Sequence, residues 1–463
     1  MTRKVKIAII GAGTAGLTAL GVVRKRTEDF ILINDGPYGT TCARVGCMPS
    51  KALIQVANDF HRRLALDGLG IRGAEALSVD LPAALHRVRE VRDYLVGNVL
   101  KATDNLGDRN LPGRARLEGP NRIRVGEELI EAEKIILATG SRPVVPEAWR
   151  DLGDRLLTSD NLFEQTDLPP RIAVIGLGII GLELGQALAR LGLEVHGFEL
   201  RSVIGGVTDP VIAQQVQQLM SQDFPLYLGH PAHIERQADG LHLSAGEASV
   251  VVDKVLVAMG RRPNVDELGL ETLGVPLDAQ GIPSFDRQTM QIGDLPVFIT
   301  GDMNAERPVL HEASDEGYIA AQNALADSPR AYRRRTPLAI AFTDPEIALA
   351  GATHAELAGS DPLIGGISFE TQSRALVAAR NKGHLRVYVE RGSGRLLGSE
   401  MIVPGAEHFG HLLALAIQQG MTFTQLLQMP FYHPVLEEGL RAALRELGRQ
   451  CLDPARRAEL EAL

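Results

Sequence analysis

Cys42 and Cys47 lie in the segment Gly39-Thr40-Thr41-Cys42-Ala43-Arg44-Val45-Gly46-Cys47-Met48-Pro49-Ser50-Lys51, and the chain has only one other cysteine, Cys451. A close pair in a cysteine-poor chain points to redox chemistry rather than to a structural disulfide framework. Met48 to Lys51 and the apolar residues beyond predict a helix that begins near Cys42 or Cys47. Five residues of ideal helix rise about 7.5 Å, more than the roughly 4.4–6.8 Å between Cα atoms that a disulfide tolerates. A Cys42–Cys47 bridge must therefore tighten or distort that turn, and Gly46 eases the distortion. A strained, accessible bridge is readily reduced, and a helix N-terminus favours the thiolate. The competing reading is two independent reduced cysteines on a loop.

A second candidate is Tyr432-His433-Pro434-Val435-Leu436-Glu437-Glu438. Thiol–disulfide exchange needs a base that takes a proton from an incoming thiol and later returns it. Imidazole has a suitable pKa, and a carboxylate can orient it. His433 with Glu437 or Glu438 can fill these roles; a plain turn before a helix is the alternative.

The elements that would position these groups can be read from the glycines. Lys4 to Ile10 is a strand-like run that ends at Gly11-Ala12-Gly13-Thr14-Ala15-Gly16; a helix from Leu17 to Arg24 and a strand from Phe30 to Ile33 come next. Arg171 to Ile175 repeats the plan, ending at Gly176-Leu177-Gly178-Ile179-Ile180-Gly181, with a helix from Leu182 to Leu191 and a strand from Glu194 to Phe198. The interval from Gly11 to Asn34 equals that from Gly176 to Glu199. In such a unit the first glycine makes the turn, the second lets backbone approach a pyrophosphate, and the third lets helix pack on strand. Glycine turns without a ligand would have to account for both units at once.

Glu199 closes the second strand of the second unit. A carboxylate there accepts hydrogen bonds from ribose hydroxyls and repels a 2′-phosphate, which favours NAD over NADP, although Arg201 nearby pulls the other way. The matching position in the first unit is Asn34, with Asp35 next to it.

Two apolar strands run into Ala138-Thr139-Gly140-Ser141-Arg142-Pro143 and Gly260-Arg261-Arg262-Pro263, each closing a nucleotide-binding unit. Val297 to Thr300 leads to Gly301-Asp302, an acid at the carboxyl end of a strand. From about Pro337 the texture becomes β-rich with amphipathic helices at His408 to Gln419 and Glu437 to Leu447, an α+β domain.

The 463 residues, 45% hydrophobic with a formal charge of −9, describe a globular chain of three or more domains and argue against nucleic acid or an anionic membrane as partner. Arg333-Arg334-Arg335 reads as a solvated linker. The basic start and the uncharged run Ile7 to Val23 superficially resemble a signal peptide, but the fingerprint glycines interrupt it. The expected compartment is the cytoplasm. No metal site is expected.

Together these residues resemble the pyridine nucleotide–disulfide oxidoreductases of the dihydrolipoamide dehydrogenase and glutathione reductase type. The similarity runs over essentially the whole chain, and its most specific part is the Cys-x₄-Cys-x-Pro-Ser-Lys segment. It implies two Rossmann-like FAD/NAD(P)-binding domains of the three-layer ββα type with a C-terminal α+β dimerisation domain. The expected division is 1–145 and 266–335 for the FAD-binding parts, 146–265 for the NAD-binding domain and 336–463 for the dimerisation domain.

The resemblance further implies FAD at Gly11, Gly13, Gly16, Asn34, Asp35, Thr41, Thr139, Gly140 and Asp302, and NAD(H), with NADP the lesser choice, at Gly176, Gly178, Gly181, Glu199 and Gly260. Cys47 would lie against the flavin and Cys42 would exchange with substrate. Lys51 would pair with Glu183 near flavin N5, and Leu310-His311 would open a helix whose dipole faces the flavin. His433 and Glu438 would serve the cysteines of the other subunit of a homodimer.

Pro49-Ser50-Lys51 and Glu199 lean toward the lipoamide type, and no terminal vicinal cysteine pair of the mercuric reductase kind is present. Three departures stand out. Thr40 replaces a glycine, Arg44 an asparagine, and Phe431-Tyr432 the small residue and histidine that often precede the active histidine. The expected activity is oxidation or reduction of a small dithiol or disulfide, most like that of dihydrolipoamide dehydrogenase. The alternatives are a reductase of another low-molecular-weight disulfide and a low-turnover flavoprotein that senses NADH.

Overall fold

The computed structural model describes residues 2–451 and 459–460. In its first strand, Thr2–Ile10, alternate side chains go to opposite faces. Ile7 and Ile9 pack with Ala19, Leu20 and Val23 of helix α1 (Thr14–Val23). Ala8 and Ile10 pack with Leu117, Ile123 and Val125 of an antiparallel ribbon on the other side. The stretch Ile7 to Ile10, apolar at every position, suits a strand held between two layers. Its parallel neighbours are Phe30–Asn34 and Glu128–Leu137, in register Ile10↔Ile33 and Ile10↔Leu137. Val297–Ile299 adds beside Glu128–Leu137.

Beyond Asn34 come α2 (Thr41–Val45), α3 (Cys47–His61) and α4 (Leu81–Leu100). The second unit repeats the first. Ile172 and Val174 face Leu182, Leu184 and Leu188 of α5 (Ile179–Arg190), while Ala173 and Ile175 face Leu241, Leu243 and Val252 of a three-stranded antiparallel meander. All five strands of its main sheet are parallel, with Arg171–Ile175 at the centre. Both units are therefore three-layer ββα structures, as expected.

α1 and α5 each begin three residues before the expected Leu17 and Leu182. The first turn of α1 is made of small residues, Thr14-Ala15-Gly16, and that of α5, Ile179-Ile180-Gly181, lies inside the glycine run, so the apolar pattern marks each helix only after its last glycine. The two Arg-Pro closing segments pair with each other: Ser141–Pro143 and Arg261–Pro263 form an antiparallel ribbon between the units.

Helix α6 (Leu310–Ala324) joins the α1 layer through Ile319, Ala320 and Ala321. The C-terminal part is a five-stranded antiparallel sheet in the order Leu338–Ala341, Glu346–Gly351, Leu396–Val403, His384–Val389, Leu363–Ser368. Phe409 and Leu413 of α7 (Ala406–Gln418) and Leu440, Leu444 and Leu447 of α8 (Glu438–Gln450) complete its core. Residues 452–458 and 461–463, the end of the expected last domain, lie outside the described residues.

One expectation is corrected. The Arg333–Arg335 run is not a solvated linker throughout. Arg334 Nη2 bonds Glu312 Oε2 at 2.5 Å and Glu316 Oε1 at 2.8 Å, Arg335 pairs with Asp315, and Arg333 donates to the Gln418 carbonyl. Two buried carboxylates on α6 require a cation, and the run supplies it. Among the described residues no helix is long and apolar enough to cross a membrane.

Candidate active site

Each glycine fingerprint is a cradle shaped by contact. A Cβ on Gly16 would lie 1.9 Å from the Gly11 carbonyl oxygen, and one on Gly181 would lie 1.8 Å from that of Gly176. A Cβ on Gly13 or Gly178 would meet nothing within 4 Å. The outer glycines are thus needed for packing, and the middle one faces open space at a helix start. Gly13 and Gly178 are the N-caps of α1 and α5, with no side-chain cap and no acid in either first turn. Uncapped N–H groups and the positive end of the helix dipole fit a pyrophosphate in both places.

The acceptors at the strand ends face these loops. Asn34 Oδ1 accepts the Ala12 N–H at 2.9 Å, and its Nδ2 donates to the Gly36 carbonyl. Glu199 Oε2 accepts the Leu177 N–H at 2.7 Å, and Oε1 accepts the Arg201 N–H at 3.1 Å. Asp35 and the Arg201 side chain are exposed.

Between α2 and α3 the helix breaks at Gly46, whose φ and ψ are −122° and −115°. A Cβ there would sit 3.0 Å from the Thr41 carbonyl oxygen and 3.3 Å from Cys42 Cα. Glycine thus lets the start of α3 fold back onto Cys42, which is the distortion that the cysteine spacing demands. Thr40, at φ 61° and ψ 152°, adopts backbone that favours glycine, and its hydroxyl accepts the Ala43 N–H at 3.2 Å. Thr41 opens α2.

Cys42 and Cys47 carry free thiols, Cys42 half-buried and Cys47 exposed. The neighbouring Cys42 thiol, acting as a donor, holds the Cys47 thiol at about 7, below its ordinary value, with desolvation opposing and the Lys51 charge assisting. The same interaction, together with the smaller effect of burial, pushes the Cys42 thiol up. The two sulfurs are thus made unlike, Cys47 ionising more readily than Cys42.

Lys51, one turn along α3 from Cys47, reaches Glu183 on α5, with Nζ 2.8 Å from Oε2 and 3.0 Å from Oε1. Glu183 is 4% exposed, so its charge depends on that lysine. Asp302 sits in the turn after Val297–Ile299. Its Oδ2 accepts the Ser141 hydroxyl at 2.7 Å, and Ser141 in turn accepts Arg261 Nε at 2.8 Å. Glu316 Oε2 holds that turn through the Gly301 N–H and Asn304 Nδ2, each at 2.7 Å.

Thr139 Oγ1 donates to the Asn264 carbonyl, the Asn264 N–H returns to the Gly140 carbonyl, and the Gly260 carbonyl accepts the Val144 N–H. Leu310 opens α6 after the uncapped Val309. The sequence pattern pointed to none of Ser141, Arg261, Asn264 or Glu316 as part of this frame. The repeated Gly-x-Arg-Pro endings were the available signal for the first two.

His433 Nδ1 lies 3.0 Å from Glu438 Oε1 and 3.1 Å from Oε2. Glu438 is the first residue of α8, and the bond to His433 holds its carboxyl below the usual range. The dyad engages Nδ1 and leaves Nε2 for a proton. The histidine side chain is 72% exposed. Among the described residues the structure gathers Cys42, Cys47, Lys51 and Glu183 into one group and His433 with Glu438 into another, with no hydrogen bond or ion pair between the two.

Residues 5–326 match the family described as "Pyridine nucleotide-disulphide oxidoreductase", and residues 338–444 match its dimerisation domain. The chain is 33% identical to a dihydrolipoyl dehydrogenase of Haloferax volcanii, over 96% of each chain. It is 31% identical to a mercuric reductase of Acidithiobacillus ferrooxidans, over 96% of this chain and 83% of that protein. Among solved structures it superposes on LpdA from Mycobacterium tuberculosis with TM-score 0.84 and 24% identity, over 96% of this chain and all of that one. The HOCl-induced flavoprotein disulfide reductase RclA from Escherichia coli gives TM-score 0.82 and 22% identity, over 95% and 99% of the two chains.

Proposed function

We propose that this chain, which belongs to the pyridine nucleotide-disulphide oxidoreductase family, is a homodimeric dihydrolipoamide dehydrogenase that uses FAD and NAD. That it is a flavin-dependent oxidoreductase of sulfur groups comes from the family and its named relatives. The lipoamide substrate, the choice of NAD and the roles of individual residues are our reading. The observation that carries it is the cysteine pair folded together at Gly46, with the Lys51–Glu183 ion pair one turn along α3.

Bound FAD supplies the passage of an electron pair between nicotinamide and sulfur. The residues of the chain do the rest. A substrate thiol gives its proton to His433 Nε2 and attacks the Cys42 sulfur of the oxidised pair. The sulfur–sulfur bond breaks and Cys47 leaves as a thiolate, stabilised by Lys51. The second substrate thiol then attacks the mixed disulfide. The substrate departs as a cyclic disulfide, Cys42 takes the first proton from His433, and the freed Nε2 takes the proton of the second thiol. Two electrons have passed to the cysteine pair and go on to NAD. Glu438 orients the imidazole and stabilises its cationic form. The exposure of His433 fits a dyad that serves the cysteine pair of a second chain. Glu199 fits a ribose without a 2′-phosphate.

We assign 1–145 and 266–335 to flavin binding, 146–265 to NAD and 336–463 to dimerisation, and place the enzyme in the cytoplasm. One observation favours a second reading, a reductase of a charged small disulfide. Arg44, between the two cysteines, buries its Nε without a hydrogen-bond partner, which leaves its charge for an anionic group.

The test is a steady-state panel of NADH and NADPH against lipoamide and glutathione disulfide on the purified yellow protein. We expect lipoamide with NADH to be the best pair. Preference for glutathione disulfide would move the assignment to the second reading. His433→Ala should lower thiol turnover by about 10²–10⁴-fold with fast flavin reduction retained; unchanged turnover removes His433 from the reaction.

A further inference from the structure

Glu183 is one of three polar side chains on a single face of α5. Gln186 and Arg190 share that face at helical spacing, and all three are buried, at 4%, 3% and 8% exposure. Buried polar groups are retained only with partners. Here the partners lie on α3, on one short piece of the C-terminal part, Phe342 to Asp344, and at Asp223.

Glu183 Oε1, which accepts Lys51 Nζ, also accepts the Phe342 N–H at 2.8 Å. Lys51 Nζ lies 4.6 Å from the centre of the Phe342 ring. The ion pair beside the cysteines therefore has a third member from another part of the fold. Gln186 Oε1 accepts the Asp344 N–H at 2.8 Å, and its Nε2 donates to the Asp344 carbonyl at 3.1 Å and to Asp223 at 2.7 Å. Arg190 donates to Asp344 Oδ2 at 2.9 Å, to the Asp344 carbonyl at 2.8 Å, and to Asn58 Oδ1 of α3 at 2.7 Å. Asp223 closes the far side of the guanidinium at 3.2 Å. Lys51 and Asn58 are seven residues apart on α3 and so share a face.

We propose that Gln186 and Arg190 are positioning residues that act on the Lys51–Glu183 pair through Phe342. By gripping both backbone groups and the side chain of Asp344, they fix the neighbouring Phe342 N–H on Glu183 and its ring against Lys51. The lysine charge is then held at one place relative to the flavin. This rests on the proposed function and on the place beside the flavin that the family resemblance implies for Lys51.

The readouts are the midpoint potential and the visible spectrum of the oxidised flavin in the holoenzyme, with the rate of flavin reduction by NADH and the apparent Kd for NADH alongside. Lys51→Met is the reference and should shift the potential and spectrum. Gln186→Leu and Phe342→Leu should shift both in the same direction and slow flavin reduction by about threefold to tenfold, with Kd for NADH unchanged. Phe342→Tyr should restore the wild-type values. The double variant Gln186→Leu/Phe342→Leu should lose little more than the worse single one, because both remove the same restraint. If Gln186→Leu fails to fold, Phe342→Leu and Phe342→Tyr decide the matter alone. A shift with Lys51→Met but none with Phe342→Leu or Gln186→Leu overturns this inference and leaves the function intact. No shift with Lys51→Met removes the reading on which it rests.

Discussion

In the first nucleotide cradle the loop N–H of Ala12 is received by an amide oxygen of Asn34; in the second, the N–H of Leu177 is received by a carboxylate oxygen of Glu199. The loops, the glycine contacts and the helix starts otherwise match. Tying the loop needs only an acceptor, so amide and carboxylate serve equally. The difference lies in the remainder of the side chain. Asn34 offers an uncharged amide NH2, already bonded to the Gly36 carbonyl, whereas Glu199 offers a carboxyl group at the strand end. The units also differ in the chain beyond their second strands. The first leads into the cysteine helices. The second leads to Asp209, buried under Arg386 and Tyr388 of the C-terminal sheet at 3.0 Å from each. One framework thus carries two strand-end chemistries and two attachments, because the strand-end side chain and the next loop lie outside its packing constraints.

The harshest way to separate the cradles is to overfill each in turn. Gly16→Val should yield protein without flavin, since its Cβ would collide with the Gly11 carbonyl. Gly181→Val should stay yellow but lose flavin reduction by NADH by at least about 10³-fold. Absorbance after purification and stopped-flow reduction decide this; loss of flavin from both variants would show that the cradles do not act separately. Cys47→Ser tests the chemistry that only the first unit carries. The long-wavelength flavin–thiolate band of the two-electron-reduced enzyme should vanish. In the wild type that band should weaken as pH falls through about 7, because protonation removes the Cys47 thiolate. A band that persists in Cys47→Ser would point to Cys42 as the thiolate.

Glu199→Asn makes the second cradle chemically like the first. It should lower kcat/KM for NADH by about 10–100-fold and narrow the preference over NADPH, through loss of a charged hydrogen bond. An unchanged ratio would mean that Glu199 only ties the loop. The mildest change is the converse, Asn34→Asp. The tie to Ala12 survives, so the rate of FAD release should change by no more than about threefold; a large increase would show that the neutral amide is needed there.

The parts of the site legible in the sequence are those whose chemistry is local. The cysteine segment, both glycine runs, Asn34, Glu199 and the acid after Val297–Ile299 each belong to one strand, turn or helix start, so residue type and spacing report them directly. The distortion at Gly46 came from a distance argument alone. Less legible were the helix starts at Thr14 and Ile179, which lie inside the glycine runs, before the apolar period sets in. Arg334 was misread because a basic run looks solvated unless the buried Glu312 and Glu316 are seen to need it. The Ser141–Arg261–Asp302 chain joins three separate segments, and only the repeated Arg-Pro endings hinted at it.

By itself the sequence determined two repeated nucleotide folds, a close cysteine pair beside the first and a separate C-terminal domain, because strand alternation, glycine turns and helix starts are short-range properties of the chain. The tertiary structure alone decided which distant polar groups meet: Lys51 with Glu183 and Phe342, Arg190 with Asn58 and Asp344, Arg334 with Glu316. Buried charges and amides must find partners wherever packing brings them, and spacing along the chain carries no record of that choice.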